Sequence, residues 1–264
     1  MITGTNALLI IDAQYDFCDP KGALFVPGAA DDVTRMADFI LSNTKNIAQI
    51  LVTLDTHLVK DIAHPLFWED PTGSILAPFT TITAAAVKNN RWVPRYDRDY
   101  VIDYLEKLEA SGGYQHIIWP EHCLIGTCGA SLDEKIAKAL VIWTHTSGKE
   151  YTTITKGVNP LTEFYGVFEA EVPIPNDAET SLNVALLQQL AAFDNLIIAG
   201  EARSHCVATS IKQIITHTPE LIAKSIILTD CMSDVPNFGY LADDVMEQAR
   251  QLGARFMKST EIRL

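Results

Sequence analysis

Six short runs of aliphatic and β-branched residues alternate along the chain with stretches of helical periodicity. No other feature restricts the fold as much. The runs are Ala7–Ile11, Gln49–Leu54, Tyr151–Thr155, Asn195–Ala199, Ser225–Thr229 and Arg255–Met257. Helical spacing of apolar residues predicts helices over Asp31–Lys45, Tyr100–Ala110, Ser131–Thr144, Ser181–Phe193, Ser204–Ile215 and Tyr240–Leu252. Continuous apolar strands separated by amphipathic helices suit a parallel sheet covered on both faces. The expectation is therefore an α/β protein, a three-layer α/β/α arrangement around a parallel sheet of about six strands.

At 264 residues, 48% of them apolar, the chain can bury a substantial core. No linker, repeat or low-complexity tract divides it, so residues 1–264 read as a single domain. One stretch, at about 60–115, breaks the alternation. It carries Pro65, Pro71, Pro78 and Pro94 with the scattered aromatics Phe67, Trp68, Phe79, Trp92 and Tyr96. An excursion of that length reads as an insertion packed on the main body, and its aromatics as packing residues.

Charge narrows the partners. Twenty basic residues stand against 33 acidic ones, a net charge of −13. Such a surface repels phosphate, so neither nucleic acid nor an anionic membrane is an expected partner. The chain opens without a basic leader and contains no run of about 18 apolar residues, so no membrane span is expected. Five cysteines, an odd number without a disulfide-scaffold pattern, point to free thiols and a cytoplasmic setting.

Polar residues stand where the strand-like runs end. Asp12 follows Leu8–Ile11, Asp55 follows Leu51–Leu54, Lys156 follows Thr152–Thr155, and Leu196–Ala199 leads through Gly200 to Cys206. In a parallel sheet these ends share one edge, where ligands bind. Cys206 lies in the strand-to-helix turn Gly200-Glu201-Ala202-Arg203-Ser204-His205-Cys206. With Ser204 as N-cap it would fall in the first helical turn, where unpaired amides and the helix dipole favour a thiolate. His205 adjoins the thiol, but helical neighbours face different ways, so it is not read as the base. Cys18, Cys128 and Cys231 have no such setting. Asp55-Thr56-His57 is a D-x-H pair after a strand, and alternation points both side chains the same way, as two ligands of one metal require. His64 and His122 could complete the set. His116, His145 and His217 read as packing or surface residues.

The blocks together resemble a known family. Ile11-Asp12-Ala13-Gln14-Tyr15-Asp16-Phe17 is similar to the opening motif of the isochorismatase-like cysteine hydrolases. Asp55-Thr56-His57 is similar to their D-W-H, Trp119-Pro120-Glu121-His122-Cys123 to W-P-x-H-C, Lys156-Gly157 to K-G, and Gly200–Cys206 to G-V-A-T-x-x-C. The order is the family's, and the metal-ligand motifs point to its nicotinamidase (pyrazinamidase) branch. The resemblance implies a catalytic triad of Asp12, Lys156 and Cys206. It further implies an oxyanion hole from the amides of Ala202 and Cys206, beside a cis Glu201–Ala202 peptide. Asp55, His57 and His122 would ligate one divalent metal ion, with His64 an additional ligand. Zinc is the first choice of ion, with iron or manganese as alternatives. Phe17, Trp119 and Tyr165 match aromatic substrate-binding positions.

The expected activity is cysteine-dependent hydrolysis of a small-molecule amide, nicotinamide to nicotinate and ammonia, through a thioester in a homo-oligomeric enzyme. Alternatives are a related metal-containing or carbamoyl-type amidase and a non-catalytic binding protein of the same fold. Glu201 and Arg203 stand where the family has an apolar residue and a threonine, which suggests a pocket reshaped for a more polar amide.

Overall fold

The computed structural model describes residues 2–264. Six parallel strands form the central sheet: β1 (Asn6–Ile11), β2 (Ile47–Asp55), β3 (Thr152–Lys156), β4 (Asn195–Gly200), β5 (Ser225–Leu228) and β6 (Arg255–Met257). Their spatial order is β6-β5-β4-β1-β2-β3. All five pairings are parallel. β1 and β4 are buried along their whole length, as central strands covered on both faces must be. The principal helices are α1 (Ala29–Ser42), α2 (Arg98–Ala110), α3 (Glu134–Ser147), α4 (Val184–Ala191), α5 (Ala208–His217) and α6 (Tyr240–Gln251). This is the α/β architecture the alternation predicts. Strand bounds move by a residue or two, and α2, α3 and α4 begin where side chains cap them. Asp97 accepts from Asp99 and Tyr100 N, Asp133 from Lys135 N, and Asn183 from Leu186 N.

The 60–115 stretch is not structureless. Two antiparallel ladders of two residues each, Trp68–Glu69 with Val93–Pro94 and Thr81–Ile82 with His116–Ile117, tie it together. With α2, which lies within it, the stretch forms a separate apolar cluster that includes Ile62, Phe67, Trp68, Val87, Tyr104 and Leu105. Phe67 and Trp68 are packing residues, as expected. Phe79 and Tyr96 are instead exposed, and Phe79 meets Trp119 edge-on at 6.0 Å between ring centroids.

Register then gathers the site. Asp55 pairs with Lys156, and Ile11 pairs with Gly200. The ends of β1, β2, β3 and β4 therefore lie side by side on one edge. Gly200 has φ 129°, and a Cβ there would come within 2.0 Å of the Ile11 carbonyl oxygen. Only glycine lets β4 leave the sheet so close to β1.

Candidate active site

Asp12, immediately after β1, adopts φ 46° and is fully buried. Its amide donates to Thr53 Oγ1 at 2.9 Å, and the Thr53 hydroxyl donates back to its carboxylate. The side chain is thus aimed by β2 rather than by its own loop. Lys156 is equally buried and bridges two acids, with Nζ 2.8 Å from Asp12 Oδ2 and 3.0 Å from Asp55 Oδ1. It also donates to the Phe164 carbonyl at 2.9 Å and lies 3.7 Å from Cys206 Sγ. The three residues predicted as a triad are therefore in one cluster.

Electrostatics follow from burial and from that single cation. Burial raises the Asp12 carboxyl above its ordinary range, with Lys156 opposing it. Burial acts on Asp55 in the same direction, but Lys156 and His57 outweigh it and hold that carboxyl well down. Burial also pushes the Cys206 thiol up, while Lys156 pulls it back. Both shifts favour a protonated thiol beside a carboxylate of raised proton affinity.

The second cluster adjoins the first through Asp55. Ligand atoms of Asp55, His57 and His122 all lie within 4.8 Å of one another. His57 Nε2 is 3.1 Å from Asp55 Oδ2, and His122 Nε2 is 3.5 Å from it. The far ring nitrogens are engaged, His57 Nδ1 by Asp61 Oδ2 at 3.1 Å and His122 Nδ1 by the Pro120 carbonyl at 2.8 Å. One carboxylate and two imidazoles converge with their Nε2 atoms inward, each ring oriented from behind. This donor set fits a divalent transition ion. His64 stands outside this group. Its Nδ1 meets the Leu58 carbonyl at 3.0 Å, and its Nε2 faces His122 Nδ1 at 3.2 Å. Burial lowers it to about 3, so it is neutral.

Both clusters contribute to one small pocket walled by Phe17, Leu24, Trp119, Tyr165 and Val235, whose lining also includes Asp55, His122, Ala202 and Cys206. Trp119 Nε1 donates to the Tyr165 hydroxyl at 3.0 Å, which fixes both rings. All three predicted aromatic contacts are here. The Glu201–Ala202 peptide is cis, as expected. The amides around Ala202 and Cys206 are engaged: Glu201 N donates to Ile11 O, Arg203 N to Ser233 O, and both His205 N and Val207 N to Ala202 O.

Some expectations are corrected. Ser204 does not cap a helix. The segment Arg203–Val207 is a π-helical turn, and α5 begins only at Ala208. The buried Ser204 hydroxyl turns sideways, accepting from Val235 N at 3.1 Å and pairing with His205 Nδ1 at 2.9 Å. Cys206 sits in this opening π-helical turn, which runs directly into α5, so it does fall in the first turn, but without Ser204 as the cap. His205 lines the same pocket as the thiol instead of facing away. Burial lowers it to about 3, which leaves a neutral ring stacked on Tyr114 at 5.1 Å. Glu201 and Arg203 do not reshape the pocket, because neither lines it. Arg203 extends to Asp234, Asp243 and the Gly239 carbonyl.

Other residues went unread. Asp61 follows His57 by one helical turn's spacing and orients it. Glu163 lines the pocket with one buried carboxyl oxygen unpartnered among the described residues. Burial raises it to about 8. Gln14 and Asp16, parts of the opening motif, are fasteners. Gln14 exchanges two hydrogen bonds with the Asp55 backbone at 2.7 and 2.8 Å, and Asp16 Oδ2 accepts from Cys123 N at 2.7 Å. They lock the β1, β2 and His122 segments in register.

A buried thiol, carboxylate and lysine thus stand together on the edge of the parallel sheet of an α/β/α fold, beside a carboxylate and two imidazoles that could hold a metal ion. Over nearly its whole length the chain is similar to nicotinamidases. It is 25% identical over 246 residues to the nicotinamidase of Saccharomyces cerevisiae, covering 93% of this chain and 95% of that one. The solved structure of the yeast nicotinamidase matches with a TM-score of 0.65 over 96% of this chain and 99% of that one, at 21% identity. The nicotinamidase/pyrazinamidase of Acinetobacter baumannii gives 0.65 over 99% of both chains at 18% identity. A pyrazinamidase of Pyrococcus horikoshii in complex with zinc gives 0.56 over 96% and 98% at 18% identity. No family model matches the chain. The fold is that of the nicotinamidase structures.

Proposed function

We propose that the protein is an amidohydrolase that converts nicotinamide to nicotinate and ammonia through a thioester on Cys206. One observation carries the reading: Lys156 Nζ lies within 3.0 Å of both Asp12 and Asp55 and 3.7 Å from Cys206 Sγ, so the thiol cluster and the metal-ligating trio open into one aromatic pocket. Similarity to the yeast nicotinamidase over 93% of the chain supports the amide class.

The residues divide the work. An amide carbonyl needs a strong nucleophile, and a buried thiol needs a base to become one. Asp12 takes the Cys206 proton, and its raised affinity makes it a better base than a surface carboxylate. Lys156 lets carboxylate and thiolate charges exist side by side while the proton moves. Cys206 Sγ forms its bond to the carbonyl carbon, and the oxygen gathers negative charge against the Ala202 and Cys206 amides. Asp12 returns the proton to the nitrogen as the C–N bond breaks and ammonia leaves. A water, deprotonated by the same carboxylate, cleaves the thioester and regenerates the thiol. Phe17, Trp119 and Tyr165 hold a flat ring between the two clusters. Asp55, His57 and His122 would hold the divalent ion, zinc as first choice. When bound, that ion supplies an anchor for a ring nitrogen or for a water bonded to it.

The test is an ammonia-release assay with nicotinamide and pyrazinamide beside aliphatic and carbamoyl amides. Nicotinamide should exceed the aliphatic amides in kcat/KM by about 10³ or more, because ring contacts orient the carbonyl. Equal or better turnover of a carbamoyl or acyclic amide would overturn the substrate.

A further inference from the structure

The turn that carries the nucleophile is fastened to the rest of the molecule through a second buried acid. Glu201 is fully buried and, unlike its neighbour Ala202, does not line the pocket. Its Oε2 accepts from Ser233 N at 3.1 Å. Its Oε1 is buried with no hydrogen-bond partner among the described residues that can donate to it. Asp32 of α1, itself 2% exposed, faces it. The Ser233 hydroxyl donates to Asp32 Oδ2, and the other Asp32 oxygen pairs with Arg35. The segment after β5 is stitched to the same turn elsewhere. Arg203 N donates to Ser233 O at 2.8 Å, Gly200 N to Cys231 O at 3.0 Å, and Val235 N to Ser204 Oγ at 3.1 Å. That segment also delivers Val235 to the pocket wall.

From this geometry we infer that Glu201 is a positioning residue which, through Ser233 and Asp32, fixes the turn presenting Ala202 and Cys206. An ionised Glu201 would set a carboxylate oxygen with no donor against a second carboxylate, in a place no water reaches. A protonated Oε1 instead donates toward Asp32 while Oε2 keeps its bond from Ser233. Burial first, then Asp32, pushes the Glu201 carboxyl well above its ordinary range. The other charged or titratable groups around it are Asp234 on the segment after β5, Cys18 on the short helical turn Tyr15–Cys18, and Arg35 beyond Asp32. None places a cation against Glu201. Arg203, on its own turn, is engaged by Asp234 and Asp243. The proton therefore takes the part that a cation would play.

The sign of the pH dependence follows. A carboxyl that binds its proton more tightly when folded contributes stability at acid pH, below the ordinary glutamate value of 4.5. That contribution is lost as pH rises toward its folded value. Glutamine in its place keeps an acceptor for Ser233 and a donor for Asp32, with no proton to lose.

The experiment compares wild type, Glu201→Gln and Glu201→Val in two readouts. The first is the thermal midpoint from about pH 5 to 9, which needs no activity. The midpoint of the Gln variant minus that of wild type should widen steadily with pH, and a gap constant across that range would overturn the neutral acid. The second is kcat and KM for nicotinamide at neutral pH. The Val variant should lose about tenfold or more in kcat with a smaller change in KM, and the Gln variant should stay within about threefold of wild type. A Val variant with wild-type kcat would overturn the positioning role. So would a Gln variant as impaired as Val. The kinetic readout alone rests on the amidase reading. If wild type turns over no amide, that reading fails while the thermal comparison still judges Glu201.

Discussion

Two buried acid clusters flank the turn that carries Cys206, and they meet the same difficulty differently. On the pocket side Asp12 and Asp55 share Lys156, all three at most 5% exposed. On the other side Glu201 and Asp32 share a serine, and the cation Arg35 pairs with Asp32 but not with Glu201 and is 39% exposed. A buried cation sustains separated charges that can rearrange when a proton moves, which chemistry needs. A proton held between two carboxyl groups removes one of their two charges and leaves the other to Arg35, which suits a fixture. The contrast shows why only one cluster reads as machinery, although both are built from acids at the same depth.

The largest effect should come from breaking the pocket-side cluster at its nucleophile. Cys206→Ala should lower kcat for nicotinamide by about 10³-fold or more while leaving the thermal midpoint nearly unchanged, since a small thiol gives way to a methyl. Activity within about tenfold of wild type would remove the thioester from the mechanism. Lys156→Met should abolish activity comparably and, unlike Cys206→Ala, also destabilise the fold. Removing one partner of a buried ion pair costs about 3–5 kcal/mol, because Asp12 and Asp55 are left facing each other without a cation. Denaturant unfolding separates the two variants.

How much of this was legible in the sequence divides along the same line. The sheet, its helices and the residues at strand ends could be read, because apolar periodicity and strand termini are local signals. Asp12, Asp55, Lys156 and Cys206 all follow recognisable runs. Within the 60–115 excursion only the helix at Tyr100–Ala110 left a periodic signal. The excursion's ladders are two residues long, too short to show alternation, and its core is completed by Ile118, Leu161 and Val172 from beyond the stretch. The cap at Ser204 failed because its hydroxyl prefers Val235 N, 31 residues away. Glu201 and Arg203 were visible as departures, but their direction was not. Partners at Ser233, Asp32 and Asp234 come from elements that only the fold brings near, and side-chain direction in a π-helical turn has no sequence signature.

A smaller effect is expected at the trio. His57→Ala removes one of three converging ligands and leaves Asp61 without the ring it orients. Elemental analysis of tag-free wild type should find about one equivalent of divalent metal, and the variant should retain a small fraction of it. Chelation should lower the thermal midpoint of wild type more than that of His57→Ala, since binding to the folded state alone stabilises it. Full metal content in the variant would place the ion elsewhere.

The smallest effect should be at Arg35, the cation of the Glu201–Asp32 cluster. Its partner Asp32 is buried, but the guanidinium is 39% exposed, so water screens the pair. Arg35 also donates to the Asp230 carbonyl, which holds the end of β5 against α1. Arg35→Ala should therefore cost no more than about 1 kcal/mol at neutral pH, far below Lys156→Met. The proton between Glu201 and Asp32 does not depend on Arg35 for its place. The gap in thermal midpoint between Glu201→Gln and wild type should widen with pH whether or not Arg35 is present. A double-mutant cycle tests this directly. If the gap collapses in the Arg35→Ala background, the Glu201–Asp32 cluster is an ordinary ion pair at one remove, and the distinction between a cation and a shared proton fails.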